Sequence, residues 1–233
     1  MEKKATLILE TSTPSASLAI AGVDGSVVQY GFASDRSHNA LLFGPLEELL
    51  EEARGREIGL VLVGSGPGSY SGTRVGIAAA QGVAIALGCP AVAVPSLLAV
   101  PAAEGGAGCL VIGDARRGSY WAVRVEGLRM ERPPELMDAE ELAARAAAAV
   151  AAGEAVVSFE EPGRFPLAAE FSAVVRQEFP TADRLWRAWL ASPEGVRAGW
   201  LADAPQPIYL KPPHITEAKR PWLAPGRSSA AKG

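Results

Sequence analysis

The stretch Val61-Leu62-Val63-Gly64-Ser65-Gly66-Pro67-Gly68-Ser69-Tyr70-Ser71-Gly72-Thr73-Arg74-Val75-Gly76 decides how this chain folds. It reads as a buried strand, a glycine-rich turn and the start of a helix. Ile58 to Val63 is a short, apolar, β-branched run, as suits a strand covered on both faces. The glycines on either side of Pro67 allow a tight turn, and the proline stiffens it. Ser71 or Thr73 is placed to cap the helix that follows, whose free N–H groups and positive dipole end favour an anion. Widely shared loop motifs fit poorly. There is no Lys where a phosphate-binding P-loop needs one. Gly64, Gly66 and Gly68 alternate, unlike the spacing of a dinucleotide site. Tyr70 stands where a nucleophile elbow needs Ser. On spacing alone, a plain strand-to-helix connection is an equal reading.

Working outward, Ala5–Glu10, Ser17–Ala21 and Val27–Phe32 read as strands, with Gly22-Val23-Asp24-Gly25 as a hairpin turn. A helix is expected from about Asn39 to Ala53. Its apolar stripe is Leu42, Leu46, Leu49 and Leu50, with Glu47, Glu48, Glu51 and Glu52 facing water. Pro45 should kink that helix or mark its effective start. A second helix runs from Thr73 to Leu87, Ala91–Val94 is another strand, and Ser96 opens a third helix. An antiparallel hairpin joined to a parallel sheet follows from this order. The second helix has only Arg74 and Gln81 as clearly polar residues, so it must be covered all round. Either the rest of the chain or another subunit supplies that cover.

Gly66-Pro67-Gly68-Ser69-Tyr70-Ser71-Gly72-Thr73-Arg74-Val75-Gly76 closely resembles the GPGSFTGLRIG segment of the bacterial TsaB/YeaZ family. Leu7-Ile8-Leu9-Glu10-Thr11-Ser12-Thr13, Ala91-Val92-Ala93-Val94-Pro95-Ser96-Leu97 and Asp114-Ala115-Arg116-Arg117-Gly118-Ser119-Tyr120-Trp121 resemble three further family segments, in the right order. The resemblance is dense from Thr6 to about Val125 and thin beyond, apart from Pro207-Ile208-Tyr209-Leu210-Lys211. It implies an actin-like ATPase fold of class α/β, with two lobes that each hold a mixed sheet flanked by helices. It also implies a role as scaffold subunit in making threonylcarbamoyladenosine in tRNA. That role is a non-catalytic partner of the metal-bearing transferase TsaD, with an ATPase, TsaE, joining at the shared interface and a homodimer forming when the chain is alone. The implied contact surface lies on the first two helices: Leu42, Leu46 and Leu49, then Arg74, Val75, Gly76, Ala79, Ala80, Gly82 and Val83. ATP and a divalent metal belong to the complex, and tRNA is met only indirectly.

The chemistry expected of this chain itself is slight. Thr11, Ser12, Gly66, Gly68, Ser69 and Gly72 are candidates for an anion or nucleotide loop. However, Pro14 and Ala16 stand where a phosphate would want glycines. Glu10 is near the position of a magnesium-organising acid. Asp114 is either a second carboxylate or half of an Asp–Arg turn. Where TsaD carries His-x-x-x-His, this chain has Ser96 and Val100, a poor metal site. Its two histidines, His38 and His214, have no ligand-type neighbour, so each reads as solvated or capping. The rival reading is an independent enzyme, either a phosphotransferase or a metallopeptidase-like hydrolase.

Bulk properties agree with a cytoplasmic chain that is not itself a magnet for nucleic acid, since the net charge of the 233 residues is −4. No signal-peptide core or membrane span is legible, and Cys89 and Cys109 read as reduced, buried thiols. Residues 1–104 are expected to form the first lobe and 105–217 the second, parted by the Gly105-Gly106-Ala107-Gly108 run. In the second lobe, Cys109–Gly113 and Tyr120–Glu126 read as strands, and Asp138 caps a helix over Ala139–Ala152. Ala155–Phe159 is a strand, and Ala182–Leu190 is a helix with Leu185, Trp186 and Trp189 inward. Residues 218–233 read as a disordered tail.

Overall fold

The computed structural model describes residues 4–33, 38–167 and 173–211, with the side chains of 38–40 left aside. Its strands are β1 (Ala5–Glu10), β2 (Ser15–Ala21), β3 (Val27–Ala33), β4 (Ile58–Gly64), β5 (Ala91–Val94), β6 (Cys109–Asp114), β7 (Tyr120–Val125), β8 (Glu135–Met137), β9 (Ala155–Ser158) and β10 (Val175–Gln177). The helices are α1 (His38–Glu52), α2 (Tyr70–Leu87), α3 (Ala139–Ala151), α4 (Ala182–Ala191) and α5 (Glu194–Ala202). Short 3-10 turns follow β5 at Ser96–Ala99 and Pro101–Glu104, where the sequence suggested one helix. Pro101 ends the first turn because it cannot continue a helical hydrogen-bond ladder.

Two five-stranded sheets carry the same plan. The first is ordered β3-β2-β1-β4-β5 and the second β10-β9-β6-β7-β8. In each, the opening strand pairs antiparallel with the next strand on one side and parallel with a later one on the other. This repeated order is the two-lobed actin-like α/β architecture. β1, β4 and β6 are almost wholly buried, which explains why they read as continuous apolar runs. β8 and β10 went unread because each is a three-residue strand at a sheet edge, too short to show a period.

Three apolar clusters form the layers. α1 and α2 cover one face of the first sheet through Leu42, Leu46, Leu49, Ile77, Ala80 and Ala84. α3 covers the outer face of the second sheet through Leu142 and Ala149. Between the sheets, Ile8, Leu62, Val111 and Val123 meet the 3-10 turns and the inner side of α4, Leu185, Ala188 and Trp189. The chain order therefore does not part cleanly at the Gly105–Gly108 run. α4 lies late in the sequence yet packs against β1, β2 and β4, and the Ala182 N–H donates to Ser17 Oγ at 2.9 Å.

Candidate functional site

The end of β1 and the loop after β4 meet at the head of α2. Ser69, not Ser71 or Thr73, caps that helix: its hydroxyl accepts the Gly72 N–H at 3.2 Å. The helix consequently starts at Tyr70, three residues earlier than its composition suggested. The cap works because Ser69 is itself held, its N–H donating to Ser12 O at 2.6 Å. Thr11 Oγ1 donates to Gly72 O at 2.9 Å, and the Gly66 N–H donates to Ser96 Oγ at 3.0 Å. A Cβ at Gly68 would overlap the Ser12 carbonyl, and one at Gly76 would overlap Thr11 Oγ1. Gly66 has φ +82°, the left-handed region that favours glycine. The two turns thus touch directly.

This geometry does not fit the anion or nucleotide loop expected of Thr11, Ser12, Gly66, Gly68, Ser69 and Gly72. The N–H groups of Gly66, Ser69 and Gly72 are already spent on protein oxygens, whereas a phosphate needs them pointing outward and free. Glu10 is no metal-organising acid here either. It is fully buried, with Oε1 accepting the Ser12 N–H at 2.7 Å. Its Oε2 and the neighbouring Ser12 Oγ have no hydrogen-bond partner among the described residues. Burial raises the Glu10 pKa, opposed in part by the polar groups of Ser12, Ser96 and Thr11 around it. A Cβ at Gly64 would overlap Glu10 Oε2, so the carboxyl packs directly on the β4 backbone. Ser96 and Val100 are both buried in the middle layer. Among the described residues, no group of three or more His, Cys, Asp or Glu could hold a metal.

The predicted contact residues fall on two sides of the helix pair. Leu42, Leu46, Leu49, Gly76 and Ala80 face the lobe's own sheet and are buried. They are removed from the contact surface, because an intramolecular core already covers them. Arg74, Val75, Ala79 and Val83 are half-buried flanks, and Gly82 is exposed. Sequence reading missed the outward residues: Leu41 and Phe43 on α1, and Ala78, Ile85 and Leu87 on α2. Ile85 is 82% exposed and Phe43 57%. A signal for them was present, because 78, 82 and 85 share one helical face, opposite the buried face of 73, 77, 80 and 84.

Elsewhere, Asp114 proves to be half of an Asp–Arg turn. Its carboxylate accepts the Arg116 N–H at 2.6 Å and pairs with the Arg116 guanidinium at 2.9 Å. Cys109 is buried and its thiol is pushed up to about 12, chiefly by burial, whereas Cys89 is only half-buried. Leu185 and Trp189 are core, with Trp186 packed beside them. Asp138 caps α3 by accepting the Glu141 N–H at 2.9 Å. The side chain of His38, His214 and the 218–233 tail lie outside the described residues.

TsaB of Escherichia coli K12, a tRNA threonylcarbamoyladenosine biosynthesis protein, is 30% identical over 123 residues, covering 50% of this chain and 53% of that one. An uncharacterized protein of Mycobacterium leprae is 44% identical over 78 residues, 33% of this chain and 21% of its own. The chain thus spans about half the length, or less, of these relatives. A family model described as "TsaD: tRNA N6-adenosine threonylcarbamoyltransferase" matches residues 32–174, more than half of the chain. The chain belongs to the family that this model describes. A solved structure of YeaZ from Pseudomonas aeruginosa superposes with a TM-score of 0.65 at 23% identity, covering 89% of this chain and 100% of that one. A second Pseudomonas aeruginosa structure, of a protein described as similar to peptidase YEAZ, also scores 0.65, at 22% identity. The TsaB/YeaZ fold is therefore present over nearly the whole chain. No helix among the described residues is long and apolar enough to cross a membrane.

Proposed function

We propose that this chain is a non-catalytic partner subunit in the making of N6-threonylcarbamoyladenosine in tRNA. In this reading it docks onto a TsaD-like transferase in the cytoplasm. It forms a homodimer when alone, and a TsaE-like ATPase joins the assembly. ATP and the divalent metal are handled by those partners. One observation carries the reading: α1 and α2 turn an apolar face outward. Ala78, Gly82 and Ile85 share the outer face of α2, with nothing within 4 Å of where a Gly82 side chain would begin, and Leu41, Phe43 and Leu87 are exposed elsewhere on the helix pair. Exposed apolar side chains gathered on one helix pair mark a protein contact. The closed turn at Glu10 and Ser12 speaks against a self-sufficient phosphotransferase.

Light scattering behind a sizing column tests this, with the chain alone and then mixed with the TsaD of its host. A dimer that converts to a one-to-one heterodimer is expected. Ile85→Asp and Gly82→Arg should weaken both species with circular dichroism unchanged. Gly76→Leu is an unsuitable probe because its side chain would strike Thr11. No complex at micromolar concentrations, or ATP turnover by the chain alone, would sink the proposal.

A further inference from the structure

Residues 205–211 return across the glycine loop and tie three separate parts of the chain together. The Ile208 N–H donates to Ser65 O at 2.9 Å. Arg74 Nη2 donates to the Tyr209 hydroxyl at 2.6 Å, and Lys211 Nζ donates to the Arg116 carbonyl at 3.0 Å. The Arg74 guanidinium lies 3.4 Å from the centre of the Tyr70 ring and 5.4 Å from that of Tyr209. Both rings are nevertheless open to water, Tyr70 at 73% exposure and Tyr209 at 53%. Beside them the β6–β7 turn lifts Arg116 and Arg117 outward, both at positive φ (67° and 59°).

The charges at this spot do not cancel. Arg116 is neutralised by Asp114 at 2.9 Å. Among the described residues, no carboxylate within ion-pair distance meets Arg74, Arg117 or Lys211. The whole chain is net negative at −4, so this is a local concentration of positive charge and no by-product of composition. Pinning the 205–211 segment accounts for the Arg74–Tyr209 bond, but it accounts neither for the open Tyr70 ring nor for Arg117.

We propose that Tyr70, Arg74, Arg117, Tyr209 and Lys211 form a direct contact for single-stranded RNA. Unpaired bases stack on the tyrosine rings, and the three cations meet backbone phosphates. Aromatic rings take any base because every base has a π-face, and cations along the strand supply sequence-independent attraction. Arg74 already holds both rings, so little side-chain freedom is lost on binding. A duplex is excluded because its bases are stacked on one another and turn only their edges outward. The surface differs from the outer face of α2 at Ala78, Gly82 and Ile85, and it replaces the expectation that this chain meets RNA only through a partner. The choice of RNA over DNA rests on the proposed function; the stacking and charge do not.

The test is fluorescence anisotropy of a labelled, unstructured RNA oligonucleotide titrated with the full chain at low salt. DNA of the same sequence and the RNA annealed to its complement form parallel arms. Binding of the single-stranded RNA is expected, with log Kd rising against log salt at a slope of roughly 2, about 0.7 for each of three phosphates. Tyr70→Ala should weaken it roughly tenfold. Arg117→Glu, on an exposed turn with no ion-pair partner among the described residues, should weaken it with unchanged circular dichroism. No binding, wild-type affinity in both variants, preference for DNA or equal capture of the duplex would overturn the assignment. A chain that binds RNA but joins no transferase loses the subunit reading and keeps this surface. A chain that joins the transferase but binds no RNA loses the surface alone.

Discussion

Glu10 ends a strand of fully buried residues and is itself without solvent exposure. Burial in such a place favours the neutral form of a carboxyl, because an unpaired charge out of water is costly. Its raised pKa means that the folded chain binds the proton more tightly than the unfolded chain does. The stabilisation is full below the ordinary value of 4.5 and is lost as pH rises through the folded value. Glu160 carries a slope of the same sign, since burial raises it too, so the informative quantity is a difference between variants. Glu10→Gln keeps an oxygen for the Ser12 N–H and carries no proton to lose. Melting temperature against pH should therefore fall less steeply above pH 4.5 in the variant; identical slopes would refute the raised Glu10 pKa. Sequence alone named Glu10 but assigned it to the wrong environment. An acid at a strand end reads as a ligand, and its full burial beside Gly64 and Ser96 is not legible in residue type.

At the scale of elements, α2 shows what one-dimensional reading can and cannot recover. Its extent at the C-terminal end was legible because Gly88, at φ 66°, stops it. Its start was not, because three hydroxyl residues compete for the cap at 69, 71 and 73. The winner is decided by a distant hydrogen bond, Ser69 N–H to Ser12 O. Ser69→Ala should cost about 1 kcal/mol, the usual worth of a lost N-cap, as read from urea unfolding; a change within error would mean that the Ser12 contact alone fixes the helix start. Its all-round apolar composition also concealed its two sides. Small residues face both the sheet and solvent, so Ala80 is buried and Ala78 exposed with nothing in residue type to separate them. Helical phase was the usable signal. Glycines were the misleading one, since Gly76 answers to Thr11 inside the lobe. α1 made the same point with leucines: Leu42 and Leu49 are wholly buried, but Leu41 is 41% exposed.

Across the whole molecule, the doubled strand order was foreseen as a fold class, with residues 1–104 and 105–217 expected as its two lobes. The Gly105–Gly108 run separates the two sheets in sequence, yet α4 fills the space beside β1, β2 and β4. Removing the chain after Glu104 would uncover Ile8, Leu62 and Val92, which share a core with Leu185, Ala188 and Trp189. Residues 1–104 expressed alone should accordingly be aggregated or molten, with no cooperative thermal transition; a sharp transition would show that the first sheet is self-sufficient. Composition could not reveal this dependence, because a late amphipathic helix does not say which sheet it will cover. The order of synthesis gives it a further meaning. A ribosome delivers β1 to β5 before α4, so until α4 has emerged the nascent chain carries an apolar sheet face without that cover. Protease protection of β1 and β4 should appear only in stalled chains long enough to free Ala191 from the ribosome.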